Sequence, residues 1–157
     1  MPETSVPITD HVARHCKKRW IFDDGAVASS AFELRRDPSS GALDEDYVSV
    51  GWLERYVTGG QIEAQIARMR EILNGRILTL KKKDGFAVLN VGRTIQTVRD
   101  NSQRGRVIRI LHDPITEPGK EDDGHSGIHD TADDEKAITE LIASTVLRVY
   151  PALLSLV

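Results

Sequence analysis

Residues 107–130 constrain the fold more than any other stretch of the sequence. They open with β-branched and aliphatic residues (VIRIL), a composition typical of a strand. Pro114 soon follows, and proline cannot continue an interior ladder because it has no N–H. Beyond it no helical or strand period is visible before Thr131, which has the spacing of a helix cap. Loops of this length are usually functional or disordered, so we predict a long functional loop over 112–130.

Apolar residues recur at helical spacing in several other segments. The clearest is 58–74, where Thr58 and Gln61 have the spacing of a capping box and Gly75 supplies the stop. Shorter helices are predicted over 11–20 and 92–101. The last predicted helix follows Thr131 and would bury one stripe, made of Ile138, Leu141, Ile142, Thr145 and Val149.

Short β-branched and aromatic runs predict the strands. Segments 77–80 and 86–91 are separated by a connection that ends in Asp-Gly, which favours a hairpin. Tyr47, Val48 and Val50 indicate another strand, and 26–36 is ambiguous. Helices and strands do not alternate as a doubly wound fold requires. The predicted fold class is α+β, with a small mixed or mainly antiparallel sheet of about five short strands and two main helices packed on it.

Length and charge limit the class of protein. A chain of 157 residues predicts a single globular domain over 1–157, with an extended lead-in at 1–10. The net charge of −3 excludes the strongly basic surface of a duplex-binding module. One cysteine, no secretory signal and no membrane-length apolar run predict a cytoplasmic protein that does not enter a membrane. The apolar tail after Pro151 is expected to pack on the domain or to form a homo-oligomer.

Histidines flank the predicted loop, and two of them are candidate catalytic residues. His112 ends a strand and opens onto the loop, where a scaffold can position a general base. His125 would be a general acid or a phosphate contact, and Ser126 beside it could bind a phosphate through its hydroxyl and N–H. Because Pro114 and Thr131 anchor the two ends of the loop, we expect His112 and His125 to converge.

Basic residues form several short clusters, each near a turn. Arg19 and Arg35 are candidate substrate-binding residues, because Trp20 and Phe32 nearby offer flat surfaces for stacking. If the clusters converge, they would bind an anion despite the negative total charge. Ordinary solvated surface is the alternative for each of them. The clusters are Lys17-Lys18-Arg19, Arg35-Arg36, Lys81-Lys82-Lys83 and Arg104 with Arg106.

A metal site is a weaker expectation. His15, Cys16 and His129 are candidate ligands, with His11 beside them, but no CxxC pair and no HExxH motif supports a zinc centre. We therefore expect no cofactor, with zinc as the exception. No Walker loop, Rossmann fingerprint or nucleophile elbow is present either.

The sequence thus supports three functions. The first is a small bacterial-type cytoplasmic enzyme that acts on an anionic substrate, a nucleotide or RNA, by histidine acid–base chemistry. The second is a non-catalytic accessory or interaction module with a protein partner. The third is a Cys/His metal-binding protein. A pocket that brings the histidines and arginines to one ligand would favour the first over the second.

Overall fold

The computed structural model describes residues 4–153, which form one seven-stranded sheet with helices on both faces. The strands are β1 (Thr4–Ser5), β2 (His11–Cys16), β3 (Tyr47–Trp52), β4 (Gly85–Asn90), β5 (Arg109–His112), β6 (His125–His129) and β7 (Arg148–Pro151). The α-helices are α1 (Leu53–Tyr56), α2 (Ile62–Leu73), α3 (Val91–Asn101) and α4 (Glu135–Ser144), and 3-10 turns cover Lys18–Trp20, Ser29–Phe32 and Gln103–Gly105.

The strands lie in the order β1-β5-β6-β3-β2-β4-β7, and every pairing is antiparallel. The α+β class and the antiparallel sheet are therefore confirmed. The predicted five strands and two main helices are too few, because the shortest strands contain too few residues for a period to be visible. No helix in the described part of the chain is long and apolar enough to cross a membrane.

Two apolar cores lie on the two faces of the sheet. On the first face, α3, α4 and the turn Ser29–Phe32 pack over side chains such as Val12 and Ile128. On the second face, α1 and α2 pack over side chains such as Phe86. Successive strand residues point to opposite faces, so β2 contributes Val12 to the first core and Ala13 to the second.

The sheet splits between β2 and β3. These strands pair only at Val12–Trp52 and Ala13–Gly51. Beyond Ala13, β2 continues to pair with β4 and β3 continues to pair with β6, so a gap opens in the middle of the sheet. The side chain of Arg14 fills part of the gap: its Nη1 donates to the carbonyl of Ser49 at 2.9 Å. It thereby satisfies an acceptor that the missing ladder leaves open.

Two of the predicted helices need correction. Residues 11–20 do not form an α-helix: His11–Cys16 is a strand that pairs with β4 along its whole length, and Lys18–Trp20 is a single 3-10 turn. Val12 and Cys16 fit a period of two as well as a helical one, and pairing with a buried strand decided between them. Helix 58–74 is confirmed in the shorter form Ile62–Leu73, with Gln61 at the N-cap and no side-chain capping bond.

The predicted hairpin is also wrong. Only its second half is a strand, because β4 is flanked by β2 and β7 and offers no free edge to residues 77–80. Segment 26–36 contains a 3-10 turn instead of a strand. The final helix ends at Ser144, so Val149 belongs to β7, and Leu141 is only half-buried while Ile138 and Ile142 are fully buried.

The long loop is shorter than predicted. Residues His125–His129 form β6, which returns alongside β5, and the bridge Ile115–Asp122 closes the remaining connection over 113–124. The lead-in pairs with β5 through Thr4–Ser5. In the tail, Ala152 is buried on the second face, and residues 154–157 lie outside the described part of the chain.

Candidate functional site

A cavity of about 670 Å³ lies where β2 and β3 separate. Its walls come from β2 and the turn after it, from β3, from β6, from α2 and from the connection 113–124. The polar and charged lining residues are Arg14, His15, Lys17, Arg19, Ser30, Glu33, Arg35, Glu45, Tyr47, Ser49, Asp122 and His125. The split in the sheet thus brings distant parts of the chain to one cleft.

Arg14 is the cation at the centre of the split. Its Nε donates to the carbonyl of Ala31 at 2.9 Å and its Nη1 to that of Ser49 at 2.9 Å. Burial lowers the pKa of Arg14, while the charges of Cys16 and Glu45 oppose that shift. Arg14 forms no ion pair with a carboxylate among residues 4–153. A half-buried cation without a direct counter-ion favours the binding of an anion.

His125 is held in one tautomer. Its Nδ1 lies 2.8 Å from the backbone oxygen of Asp113, and a carbonyl only accepts, so Nδ1 carries the hydrogen. In neutral His125 the Nε2 is then an acceptor, and it lies 3.3 Å from Oγ of Ser49. The residue is 9% exposed. The arrangement places a hydroxyl beside an oriented ring nitrogen, at a separation slightly longer than the usual reach between a nucleophile and its base.

Aromatic contacts fix the position of this pair. The ring of Tyr47 meets His125 edge-on, with centroids 5.9 Å apart, and stacks on His129 at 5.4 Å. Burial raises the pKa of Tyr47, and the charge of Asp113 adds to the shift. A Cβ on Gly127 would lie 2.7 Å from Cδ2 of Tyr47, so only glycine leaves room for this ring. The tyrosine is therefore a neutral, fixed wall of the cleft.

A second histidine of the cleft is paired with a carboxylate. His15 Nε2 lies 3.0 Å from Oδ2 of Asp84, which is buried. Burial lowers the pKa of His15, and the hydrogen bond and charge of Asp84 oppose that shift. The backbone N–H groups of Lys18 and Lys81 also donate to this carboxylate. Asp84 thus orients the imidazole and joins two distant segments.

The structure does not bring His112 to the cleft. His112 pairs with Ser126 in the β5–β6 ladder, so these two side chains share one face of the sheet. His125 is the residue before Ser126 on β6, and its side chain therefore points to the opposite face. The ring of His112 packs edge-on against Trp52 at 5.0 Å, and its Nε2 lies 2.7 Å from the backbone oxygen of Asp123. The expected convergence of His112 and His125 is therefore not found, because strand pairing separates neighbouring side chains.

Ser126 also lies away from the cleft. It is fully buried and its hydroxyl donates to the backbone oxygen of Gly124 at 3.1 Å. Arg19 and Arg35, by contrast, both line the cleft. The guanidinium of Arg19 lies over the ring of Trp20 at 5.6 Å, and Arg35 is exposed, 3.8 Å from a carboxylate oxygen of Asp44.

The candidate zinc ligands are dispersed. Cys16 is buried in the first core, where burial raises the pKa of its thiol to about 11. His15 faces Asp84, and His129 stacks on Tyr47. Residues 4–153 contain no group of three or more histidine, cysteine or acidic side chains placed to hold a metal ion.

Sequence reasoning missed Arg14, Ser49 and Asp84. The available signal for Arg14 was its position between Val12 and Cys16 in a strand-like alternation, where an inward arginine is unusual. Ser49 and Asp84 gave none, because their partners lie 76 and 69 residues away. Comparisons with protein-family models, curated proteins and solved structures found no match.

Proposed function

We propose that this chain is an enzyme that cleaves a phosphate ester of an anionic, nucleotide-like or RNA-like substrate by histidine acid–base chemistry. One observation carries the proposal. His125, held in one tautomer by the backbone oxygen of Asp113, faces the hydroxyl of Ser49 in a cleft that also contains the half-buried guanidinium of Arg14. Nucleophile, base and anion-stabilising group then share one cavity.

Ser49 is the nucleophile of this reaction. Its Oγ attacks phosphorus while its proton moves to Nε2 of His125, so that an Oγ–P bond forms and the bond from phosphorus to the leaving oxygen breaks. The leaving oxygen takes the proton from His125. Water then attacks the phosphoserine, gives its proton to His125, and the Oγ–P bond breaks. Ser49 recovers that proton, so no other reactant is consumed.

Arg14 stabilises the charge that develops on the phosphoryl oxygens. Its bond to the carbonyl of Ser49 keeps the guanidinium beside the nucleophile. Guanidinium groups match phosphate oxygens in geometry and retain their charge when buried. Arg19 and Arg35 line the same cleft and attract the anionic substrate. Glu33 and Glu45 also line the cleft, and their negative charges limit how much negative charge on a substrate the cleft tolerates.

Turnover of bis(p-nitrophenyl) phosphate and of an RNA dinucleotide tests the proposal. We expect Ser49→Ala and His125→Asn to lower the rate at least about 100-fold, which is the usual contribution of acid–base catalysis. Asparagine retains an N–H for the carbonyl of Asp113 but supplies no base. His112→Asn is the matched control: its ring lies on the opposite face of the sheet from His125, so this variant should keep most of the activity. Wild-type rates in Ser49→Ala would reject Ser49 as nucleophile.

A second candidate is an anion-binding module without turnover. The Ser49–His125 separation of 3.3 Å favours it, because this is long for a hydrogen bond donated by a hydroxyl. Phosphate that raises the melting temperature of the wild type but not of Arg14→Met, together with no hydrolysis, would select this candidate.

A further inference from the structure

A second cavity of about 640 Å³ adjoins the first. It is lined by His15, Lys17, Lys18, Arg19, Leu78, Thr79, Lys81 and Asp84. His15, Lys17, Arg19 and Leu78 line both cavities. A ligand bound at Ser49 could therefore extend past His15 into this second cavity.

The charges of the second cavity are unbalanced. Its lining contains four cationic side chains and one carboxylate, on a chain whose net charge is −3. The four cations form no ion pair within residues 4–153. The carboxylate of Asp84 is 7% exposed and already accepts from His15 and from two backbone N–H groups. Like charges gathered in this way repel each other until an anion binds.

The cluster is held in place by the fold. Asp84 accepts from the backbone N of Lys18 at 3.3 Å and from that of Lys81 at 3.2 Å, which ties the turn after β2 to the turn before β4. Lys17 and Arg19 lie over the ring of Trp20 at 5.5 and 5.6 Å. A buried carboxylate and an aromatic ring therefore hold these basic segments together.

We propose that the second cavity binds additional phosphate groups of the same ligand, so that the substrate is a molecule with two or more linked phosphates. A nucleoside polyphosphate and a short oligonucleotide share this chemistry. The inference rests on the proposed function only in the choice of the bond that is cleaved. The binding of linked phosphates in the basic cavity does not require Ser49 to react. Binding should weaken steeply with salt, as expected when several phosphates meet several cations.

Calorimetric titration tests the inference with orthophosphate, tripolyphosphate, ATP and an RNA tetranucleotide as probes. We expect the wild type to bind the linked phosphates at least about tenfold more tightly than orthophosphate at low salt. Lys18→Gln with Lys81→Gln should remove most of that preference. Lys82→Gln with Lys83→Gln is the matched control: it removes the same charge from exposed lysines next to the cavity and should retain the preference.

The outcomes separate the inference from the proposed function. Equal losses in the two double variants, or no preference for linked phosphates, would overturn the inference. Tighter binding of ATP or of the tetranucleotide than of tripolyphosphate supports it and identifies the source of the phosphates. Ser49→Ala should bind all probes like the wild type. A wild type that prefers linked phosphates but hydrolyses none of the substrates would reject the proposed function and leave the inference standing.

Discussion

The connection 113–124 is anchored by one buried carboxylate, and removing its tyrosine partner should weaken the fold measurably. Asp122 is 3% exposed and accepts from the hydroxyl of Tyr56 at 2.8 Å and from the N–H of Gly124 at 3.2 Å. Burial raises the pKa of Tyr56 well above its ordinary value, and the charge of Asp122 adds to the shift. Tyr56 is therefore a neutral donor throughout the usual pH range, and Tyr56→Phe removes that donor alone.

The magnitude follows from what remains after the substitution. A hydrogen bond to a charged group contributes about 1.5–3 kcal/mol. Phenylalanine keeps the ring, so no cavity term is added, and the N–H of Gly124 still satisfies part of the carboxylate. We expect Tyr56→Phe to lower the free energy of unfolding by about 1.5–3 kcal/mol. For a chain of this length the melting temperature should fall by roughly 3–12 °C.

Urea denaturation followed by circular dichroism measures the change, with Tyr150→Phe as the control. Tyr150 packs under the guanidinium of Arg148 at 4.7 Å, and its hydroxyl has no protein partner in the described part of the chain. The control should therefore stay within about 0.5 kcal/mol of the wild type. Equal effects of the two substitutions, or a wild-type midpoint in Tyr56→Phe, would refute the reasoning.

Three further predictions concern the core and the titratable groups. Ile142→Ala should lower the free energy of unfolding by about 2–5 kcal/mol and Leu141→Ala by clearly less, because Ile142 is fully buried and Leu141 is not. Equal losses of stability in the two variants would contradict this. Because burial lowers the pKa of His15, the unfolded chain takes up a proton first as pH falls below about 6.5. The wild type should therefore lose stability there, and calorimetry of His15→Gln should show a smaller loss; an equal or larger loss would contradict the assigned shift. Since burial raises the pKa of the Cys16 thiol to about 11, the native protein should resist a thiol reagent at neutral pH until denaturant is added.

The sequence by itself determined the elements whose signals are local. Helix α2 has an apolar stripe and a glycine stop within one stretch of chain, and α3 and α4 were found in the same way. The α+β class followed from these helices and from the β-branched runs between them. His125, Arg19 and Arg35 were identified by residue type and by the turns beside them, and the structure places all three around one cleft.

Only the tertiary structure determined which residues come together at the candidate site. Val12 and Cys16 satisfy helical and strand periods alike, and the pairing of β2 with β4 selected the strand. The register of β5 with β6 then placed His112 and His125 on opposite faces. Ser49 and His125 are 76 residues apart in the sequence, and only the pairing of β3 with β6 brings them together. The cleft exists only because β2 separates from β3 after Ala13. Periodicity reports which face of an element is apolar, whereas the choice of strand neighbours depends on the packing of the whole sheet.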